Sequence, residues 1–409
     1  MMQRVQMNNS IPATKPVRTI LIGTFIVLLA MGTRATFGLF MQPMGLQHGW
    51  SREVFSMAFA LQNLVWGFGA IGAGMMADRL GSARTVAICA ILYAVGLYGN
   101  RIATSELELY LSAGVLIGLG QAGTTFAVIL PVIARSVPLA SRSTAMGIAT
   151  AGGSLGQFLV VPSGQFAIDT IGWMDAYVVF ACIMAFTLPL TWFLRGKPVA
   201  GTGPQQSLFS AIRQALAHPT FHFLFWSYFV CGFHTAFITL HLPAFVVDAG
   251  LNASTGAVAI GLIGLFNVVG SFSCGKLGGT HSKKNLLAIV YAMRAVGILW
   301  ILVMPISPWV VYVFAGWMGL FWLGTVPLTQ GLIAQIYGLQ FAATLSGMVF
   351  LGHQLGSFTG VWLGGKVQAI TGSYDVVWWM GIALALIAAL LCLPVREKPL
   401  GVRLSPAAA

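Results

Sequence analysis

Twelve apolar segments, each about 20 residues long, make up most of this 409-residue chain. An α-helix of about 20 residues is long enough to cross the hydrocarbon core of a bilayer. Only 7% of the residues are charged, whereas a soluble domain carries roughly 25%. We therefore predict an all-α integral membrane protein with twelve transmembrane helices, called spans 1 to 12. They lie at residues 19–42, 53–77, 84–102, 107–132, 144–168, 173–194, 220–247, 254–276, 285–305, 308–333, 342–368 and 374–394.

The basic residues between the spans indicate how the chain lies in the membrane. The net charge is +12, and it is distributed unevenly. Sixteen lysines and arginines fall on one side of the predicted membrane, and only Arg52, Arg101 and Lys366 fall on the other. Because basic loops stay in the cytoplasm, both termini are predicted to be cytoplasmic in a multi-pass protein of the inner (cytoplasmic) membrane. The basicity is thus a topology signal, and no nucleic-acid partner is expected.

A long polar interruption divides the spans into six and six. It covers residues 195–219 and ends in a short amphipathic stretch, Phe209–Leu216. We predict an N-terminal six-helix bundle at residues 1–194, a cytoplasmic linker at 195–219 and a C-terminal six-helix bundle at 220–409.

Two short sequence matches indicate that the bundles are copies of one unit. Residues 93–96 in span 3 match residues 294–297 in span 9, at an offset of 201. Residues 152–158 in span 5 match residues 352–358 in span 11, at an offset of 200. The agreement of the offsets predicts two pseudo-symmetric halves. Transporters built from paired halves bind their substrate near the membrane midplane, between the halves.

The loop between spans 2 and 3 carries a motif of glycines and charged residues. It reads Gly74-Met-Met-Ala-Asp78-Arg79-Leu-Gly81-Ser-Ala-Arg84 and resembles the signature of the major facilitator superfamily. Gly74 allows close helix approach, Gly81 allows a tight turn, and Asp78 can pair with a basic group or a helix N-terminus. The resemblance implies the major facilitator fold, with these residues, Arg79 and Arg84 included, as a conformational latch.

The end of span 1 resembles one branch of that superfamily. The segment from Arg34 to Phe40, followed by Gly49-Trp50-Ser51-Arg52, looks like the bacterial monocarboxylate and oxalate/formate-type carriers. In some of those carriers a cation in span 1 binds the substrate carboxylate, and the resemblance implies this role for Arg34. Monocarboxylate carriers typically place a second arginine in span 8. This chain has Asn267 there, and its second intramembrane arginine is Arg294 in span 9.

Arg34 is a charge at membrane depth without an acidic neighbour. No Asp or Glu lies deep in any of the twelve spans. A charged side chain in hydrocarbon costs at least ~2.5–3.5 kcal/mol, and a guanidinium offers a planar fork to a carboxylate. The missing counter-ion therefore predicts an anionic substrate. The alternative is that Arg34 snorkels to the outer interface or pairs with backbone carbonyls.

Other polar residues at mid-depth are further candidate ligands. Arg294 could bind the substrate directly or have a structural role. A histidine could donate a hydrogen bond to the anion, carry a proton, or be a core residue whose hydrogen bonds are satisfied within the protein. The amides fit either cavity lining or interhelical hydrogen bonds. His353 is the preferred proton carrier, and the substrate carboxylate is the alternative one. The predicted substrate-binding set is Arg34, His353, Gln354, Arg294, Asn267, His234 and Gln121.

Together these features predict a secondary transporter of a small organic anion, first of all a monocarboxylate, working by alternating access. Protons are a candidate coupling ion, and a monomer is expected. A drug or metabolite exporter of the same superfamily is one alternative, and a non-transporting membrane sensor or scaffold is another. The sequence has no His/Asp/Glu cluster with metal-ligand spacing and no G-x(4)-G-K-[ST] loop, so we expect no enzyme activity, metal or cofactor.

Overall fold

A computed structural model describes residues 16–137, 142–195, 208–337 and 342–400 of the chain. Span 1 is the helix Pro16–Ala35, extended by a 3-10 turn, Phe37–Phe40, and a short helix, Met41–His48. Spans 2 and 3 are Arg52–Leu80 and Ser82–Ile102. Span 4 comprises Glu106–Leu109, a π-helical turn at Tyr110–Leu116, then Ile117–Thr124 and Phe126–Ser136. Spans 5 and 6 lie in Arg142–Thr191, followed by a 3-10 turn at Trp192–Leu194.

The C-terminal half is preceded by the helix Leu208–Leu216, which contains the predicted amphipathic stretch. Span 7 is Pro219–Asp248, span 8 is Ala253–Leu277 and span 9 is Lys283–Val303. Span 10 comprises Pro308–Leu320 and Thr325–Tyr337, span 11 is Ala342–Thr371 and span 12 is Asp375–Cys392. Residues 196–207 of the predicted linker lie outside the described part, and the boundaries at 194 and 219 stay predictions.

The twelve predicted spans are all helical. Ten stretches are long and apolar enough to cross a membrane. One of them, Gly147–Leu194, has 48 residues and contains two crossings, because Gly172 breaks it with φ 81° and ψ 160°. The remaining span, Ala342–Thr371, has 30 residues and carries His353 and Gln354 near its middle. The predicted all-α, twelve-helix architecture is confirmed.

The sequence repeat reappears as a repeated backbone contact. A Cβ added to Gly156 of span 5 would overlap the carbonyl oxygen of Leu28 in span 1. A Cβ added to Gly356 of span 11 would overlap the carbonyl oxygen of Phe229 in span 7. Leu28 and Phe229 are 201 residues apart, so the first and fifth helices of each half pack in the same register. Glycine permits this approach because it has no side chain to hold the backbones apart.

The two halves meet along two helix pairs, span 2 with span 11 and span 5 with span 8. A Cβ on Gly67 would lie 3.0 Å from the Cβ of Gln354, and one on Gly264 would lie 2.7 Å from the carbonyl oxygen of Ser154. Asn267 donates from Nδ2 to Ser154 Oγ at 2.8 Å. Both contacts lie at mid-span, so the halves touch at the depth where paired-repeat transporters bind substrate.

Charged side chains join the halves at their predicted outer ends. Arg52 of span 2 forms a two-pronged salt bridge with Asp248 at the end of span 7. The same arginine lies 3.2 Å from the hydroxyl of Tyr374, just before span 12. Lys366 of span 11 lies 3.4 Å from Glu53 of span 2. The described structure is therefore closed at its predicted outer face by pairs that cross from one half to the other.

We expect Gly156→Ala to lower the thermal unfolding midpoint of the purified protein, because the added methyl would overlap the Leu28 backbone at a cost of about 1–3 kcal/mol. Gly147→Ala is the matched control on the same span, since its Cβ would meet nothing within 4 Å. The control should be neutral or stabilising by up to about 1 kcal/mol, the gain of alanine over glycine in a helix. Equal midpoints for the two variants would contradict the packing described.

We expect Asp248→Asn to increase the population that is open at the outer face. A salt bridge of this exposure is worth about 1 kcal/mol or less, so the open population should rise by up to about fivefold. Asp175→Asn is the control, because Asp175 pairs with Arg101 at 3.4 Å within the N-terminal half.

The measurement is the distance distribution between spin labels on cysteines introduced at Leu46 and Trp309. Both side chains are exposed and lie at the predicted outer ends of opposite halves. The background carries Cys182→Ser, because Cys182 is exposed while the other four cysteines are buried. A longer-distance population in both variants, or in neither, would contradict a closing role for the Arg52–Asp248 pair.

Candidate functional site

Arg34 lies at the end of the first helix of span 1, half-buried against one face of span 2. Its Nη2 donates to Asn63 Oδ1 at 2.7 Å. Its guanidinium carbon lies 4.7 Å from the ring centroid of Phe59 and 5.2 Å from that of Trp66. These three span 2 residues share a face because they are three and four positions apart. Ring faces and an amide oxygen attract a cation, but none of them neutralises it.

The positive charge of Arg34 has no carboxylate partner in the described part of the chain. The salt bridges found there involve Arg52, Arg101 and Lys366, all near the predicted outer ends of the spans. In addition, the buried Nε of Arg34 has no hydrogen-bond partner. The guanidinium therefore retains both a net charge and a free donor at membrane depth, which is the condition for binding an anion.

A small chamber lies beside the guanidinium inside the N-terminal half. Its volume of about 10 Å³ is enough for about one water molecule. Three polar atoms of its lining residues are buried without a partner: Thr33 Oγ1, Arg34 Nε and Tyr177 Oη. The complete lining is Thr33, Arg34, Thr36, Phe37, Gln62, Tyr93, Leu97, Ile117 and Tyr177.

Asn63 and Trp66 connect the arginine to the other half of the molecule. Gln354 donates from Nε2 to the Asn63 carbonyl oxygen at 3.0 Å, and its Oε1 lies 2.9 Å from His353 Nδ1. The Trp66 ring meets that of Phe350 edge-on at 5.5 Å, and Phe350 stacks on His353 at 5.6 Å. Through these contacts the structure brings three predicted site residues, the arginine and the span 11 pair, to one interface.

His353 also contacts the position that the internal repeat relates to Arg34. Its Nε2 lies 3.5 Å from the hydroxyl of Thr235, which follows Arg34 by 201 residues. The imidazole ring lies 5.0 Å from the Tyr228 ring. The two halves therefore place different polar groups at equivalent depths, an arginine in one and a histidine with a threonine in the other.

Arg294 is fully buried and is held by groups of its own half. Its Nε donates to the Phe321 carbonyl oxygen at 2.8 Å, and its Nη2 donates to the Trp322 carbonyl oxygen. Nη2 also lies 3.4 Å from the Cys231 sulfur, while Nη1 has no partner.

The repeat explains this position. Tyr93, the counterpart of Arg294, donates from its hydroxyl to the Ala30 carbonyl oxygen at 2.9 Å, and Ala30 precedes Cys231 by 201 residues. In each half the third helix thus reaches the first helix through one long polar side chain. The structure does not bring Arg294 to the chamber beside Arg34, and its predicted ligand role stays a prediction.

The other three predicted ligands form hydrogen bonds between helices. Asn267 uses both ends of its amide within the protein, and His234 Nε2 lies 2.9 Å from the Gly381 carbonyl oxygen. Gln121 donates to Gln62 Oε1 at 3.2 Å. Gln121 is therefore one residue away from the chamber, whereas Asn267 and His234 contact other parts of the C-terminal half or its interface.

The predicted latch is described only in part. Gly81 has φ 92° and ψ 150° between spans 2 and 3, a conformation that glycine adopts without strain. A Cβ on Gly74 would meet nothing within 4 Å, and Arg84 is exposed. The side chains of Asp78 and Arg79 lie outside the described residues, so the latch stays a prediction.

The predicted ligand set omitted the residues that surround Arg34. Phe59, Asn63 and Trp66 on span 2, and Tyr177 on span 6, contact the guanidinium or line its chamber. The spacing of the three span 2 residues was a usable signal, because it places two rings and an amide on one helix face. Tyr177 had no such signal, since only the folded bundle brings span 6 beside span 1.

Curated relatives match nearly the whole chain at low identity. The uncharacterised MFS-type transporter YcxA of Bacillus subtilis is 24% identical over 376 residues, covering 88% of this chain and 90% of its own. Monocarboxylate transporter 11 of Mus musculus is 26% identical over 320 residues, covering 73% and 69%. The gallate transporter of Pseudomonas putida is 23% identical over 421 residues, covering 94% and 90%.

A solved structure and a family profile agree with the fold. The crystal structure of a bacterial homolog to the human lysosomal transporter Spinster, in an inward-facing and occupied conformation, superposes with a TM-score of 0.74 at 16% identity. It covers 97% of this chain and 100% of its own, and at this identity the likeness shows the fold alone. The Major Facilitator Superfamily profile matches residues 21–361. The resemblance seen in the sequence is confirmed, and the chain belongs to the major facilitator superfamily.

Proposed function

We propose that this protein is a secondary transporter of a small organic anion, a monocarboxylate, and that Arg34 binds the carboxylate. The observation that carries the proposal is the half-buried guanidinium, which has a free Nε and no described carboxylate partner. Relatives named as monocarboxylate and gallate transporters support the substrate class.

The surroundings of Arg34 suit a small organic carboxylate better than a cation. The guanidinium is a flat fork that binds both oxygens of a carboxylate, and its Nη2 is steadied by Asn63. Phe59 and Trp66 flank the charge with ring surfaces, which suit the apolar body of a small organic acid. A cationic ligand would be repelled, because the charge already at the site is positive.

The position of the site also suits alternating access. Asn63, which binds Arg34, accepts a hydrogen bond from Gln354 of the other half. An anion at Arg34 therefore binds next to a contact that must change when the halves rock. The Arg52–Asp248 pair closes the outer face above it.

We further propose that the protein lies in the inner membrane, that both of its termini are cytoplasmic, and that it works as a monomer.

We expect Arg34→Gln to abolish binding of the transported acid while the protein still folds. Loss of a buried charged partner costs about 2–5 kcal/mol, or at least about thirtyfold in affinity. The control is Arg18→Gln, on the same helix, because Arg18 is exposed and its guanidinium carbon lies 4.6 Å from the Phe193 ring centroid. The measurement is the ligand-induced rise of the unfolding midpoint.

The panel contains acetate, lactate, benzoate, gallate, glucose and ethidium, each tested with wild type and both variants. Stabilisation by acids in wild type and Arg18→Gln, absent in Arg34→Gln, supports the proposal. Stabilisation by acids that survives in Arg34→Gln would move the carboxylate site elsewhere. If ethidium stabilises wild type and Arg34→Gln equally, the result would favour the exporter alternative.

A further inference from the structure

An apolar groove runs along the outside of the N-terminal half, between spans 1 and 6. Its volume is about 570 Å³, and it is open along one side. Phe25, Val179 and Phe186 line it, and each is at least 40% exposed. Because these apolar side chains point away from the bundle in a membrane-spanning chain, the groove faces lipid. All of its lining residues belong to the N-terminal half, so it does not use the interface between the halves.

The groove has the length of one membrane leaflet. Asp175 lines it at the predicted outer end of span 6, and Phe186 lines it 11 residues further along the same helix. At a rise of about 1.5 Å per residue this distance is about 17 Å, whereas half of the hydrocarbon core is about 15 Å thick. The groove therefore leads from the level of the lipid headgroups to about the midplane, as an acyl chain does.

A loosely paired acid and base lie at the outer end of the groove. Arg101 Nη2 of span 3 lies 3.4 Å from Asp175 Oδ1, farther than the ~2.7–2.9 Å of a close charged hydrogen bond. The two side chains are 35% and 60% exposed. Tyr98 is exposed next to them, with its ring centroid 6.0 Å from the guanidinium carbon, and tyrosines are enriched at the membrane–water interface. Both charges are therefore accessible to a lipid headgroup.

The internal repeat reproduces the acid of this pair and omits the base. Asp175 recurs as Asp375 at the offset of 200. Each of the two acids follows, by three residues, a glycine with positive φ, 81° and 73° respectively. Arg101 corresponds to Leu302 at the offset of 201. The combination of a carboxylate and a guanidinium at this level is thus a property of the N-terminal half.

The pair suits a zwitterionic headgroup better than an anionic one. Its two charges compensate each other, so no net positive charge remains to attract an anionic lipid. A primary ammonium group donates up to three hydrogen bonds, and the exposed Asp175 carboxylate can accept them. The phosphate of the same headgroup is attracted by the guanidinium of Arg101. A choline headgroup has no N–H to donate, so the carboxylate discriminates between the two zwitterions.

We propose that this groove binds an aminophospholipid, phosphatidylethanolamine, with one acyl chain between spans 1 and 6. The ammonium group binds Asp175, and the phosphate binds Arg101. The chain covers apolar side chains that the helices leave open. The site is separate from the Arg34 chamber, and the proposal does not depend on the proposed function.

Asp175→Asn tests the headgroup contact, because it removes the charge and keeps the shape of the side chain. Asp375→Asn is the matched control, since Asp375 is exposed at the repeat-related position without the arginine. The full-length protein in detergent is incubated with equal amounts of phosphatidylethanolamine and phosphatidylcholine that carry identical acyl chains. The lipid that stays bound is identified by native mass spectrometry.

We expect wild type and Asp375→Asn to retain phosphatidylethanolamine over phosphatidylcholine by about fivefold, the upper range for a partly exposed ion pair. Asp175→Asn should retain the two lipids equally. A preference that survives in Asp175→Asn, or no preference in wild type, would overturn the proposal. A preference of wild type for added phosphatidylglycerol would make Arg101 an anion site and overturn the zwitterion assignment.

Val179→Trp tests the acyl-chain contact, because an indole at this position fills the groove. The corresponding residue of the other half is Trp379, so the repeated scaffold holds an indole there. Val296→Trp on span 9 is the control, since Val296 is exposed and lies outside the groove. We expect Val179→Trp to lose bound lipid of both headgroup classes and Val296→Trp to retain it. Equal retention in the two variants would contradict a chain in this groove.

The unfolding midpoint gives a second readout, in which lipid need not survive transfer into the gas phase. A ligand that binds the folded protein raises the midpoint. Phosphatidylethanolamine should raise it more than phosphatidylcholine in wild type, and this difference should vanish in Asp175→Asn. If neither lipid raises the wild-type midpoint, the groove is not a lipid site. The proposed function fails separately, because the Arg34→Gln panel measures soluble acids.

Discussion

The structure depends on a close backbone contact between the first and fifth helix of each half. Gly156 packs on the Leu28 carbonyl and Gly356 on the Phe229 carbonyl. With the helices this close, Gly32 also touches the backbone of span 5, and Gly232 touches the carbonyl oxygen of His353. Van der Waals packing of this kind stabilises helix association in lipid, where apolar burial contributes little. It also determines which residues of spans 1 and 7 point toward the other half.

Those contacts place chemically different side chains at positions that the internal repeat relates to each other. Arg34 and Thr235 are related by the repeat, yet one is a cation without a counter-ion and the other a hydroxyl beside His353. The two halves therefore share one helix packing, and a few differing polar residues give them different chemistry. The same comparison separates the two arginines. Arg294 stands where Tyr93 stands in the other half, as a long side chain between the third and first helix, whereas Arg34 has no such packing role.

The membrane topology and the family could be predicted from the sequence, whereas most contacts of the candidate site could not. The spans, the two halves and the family followed from segment length, repeat offset and the Gly74–Arg84 motif, because hydrocarbon thickness and backbone conformation impose these patterns locally. Arg34 stood out since a lone charge is costly at any position in lipid. Gln354 and His353 did join the interface with Arg34. Asn63 as the direct partner, and Tyr177 in the chamber wall, were not foreseen.

By itself the sequence determined that the chain has twelve membrane-length apolar segments and that two arginines, Arg34 and Arg294, lie at membrane depth without an acidic residue. It also predicted the orientation of the chain in the membrane. Those properties depend on transfer free energy along the chain. The tertiary structure decided which polar residues meet. In the folded chain Arg294 donates hydrogen bonds to backbone carbonyl oxygens, and Asn267 and His234 form hydrogen bonds between helices. Arg34 contacts residues of span 2 and lines a chamber together with Tyr177. Such contacts join residues far apart in sequence, so they depend on helix rotation and register, which only packing sets.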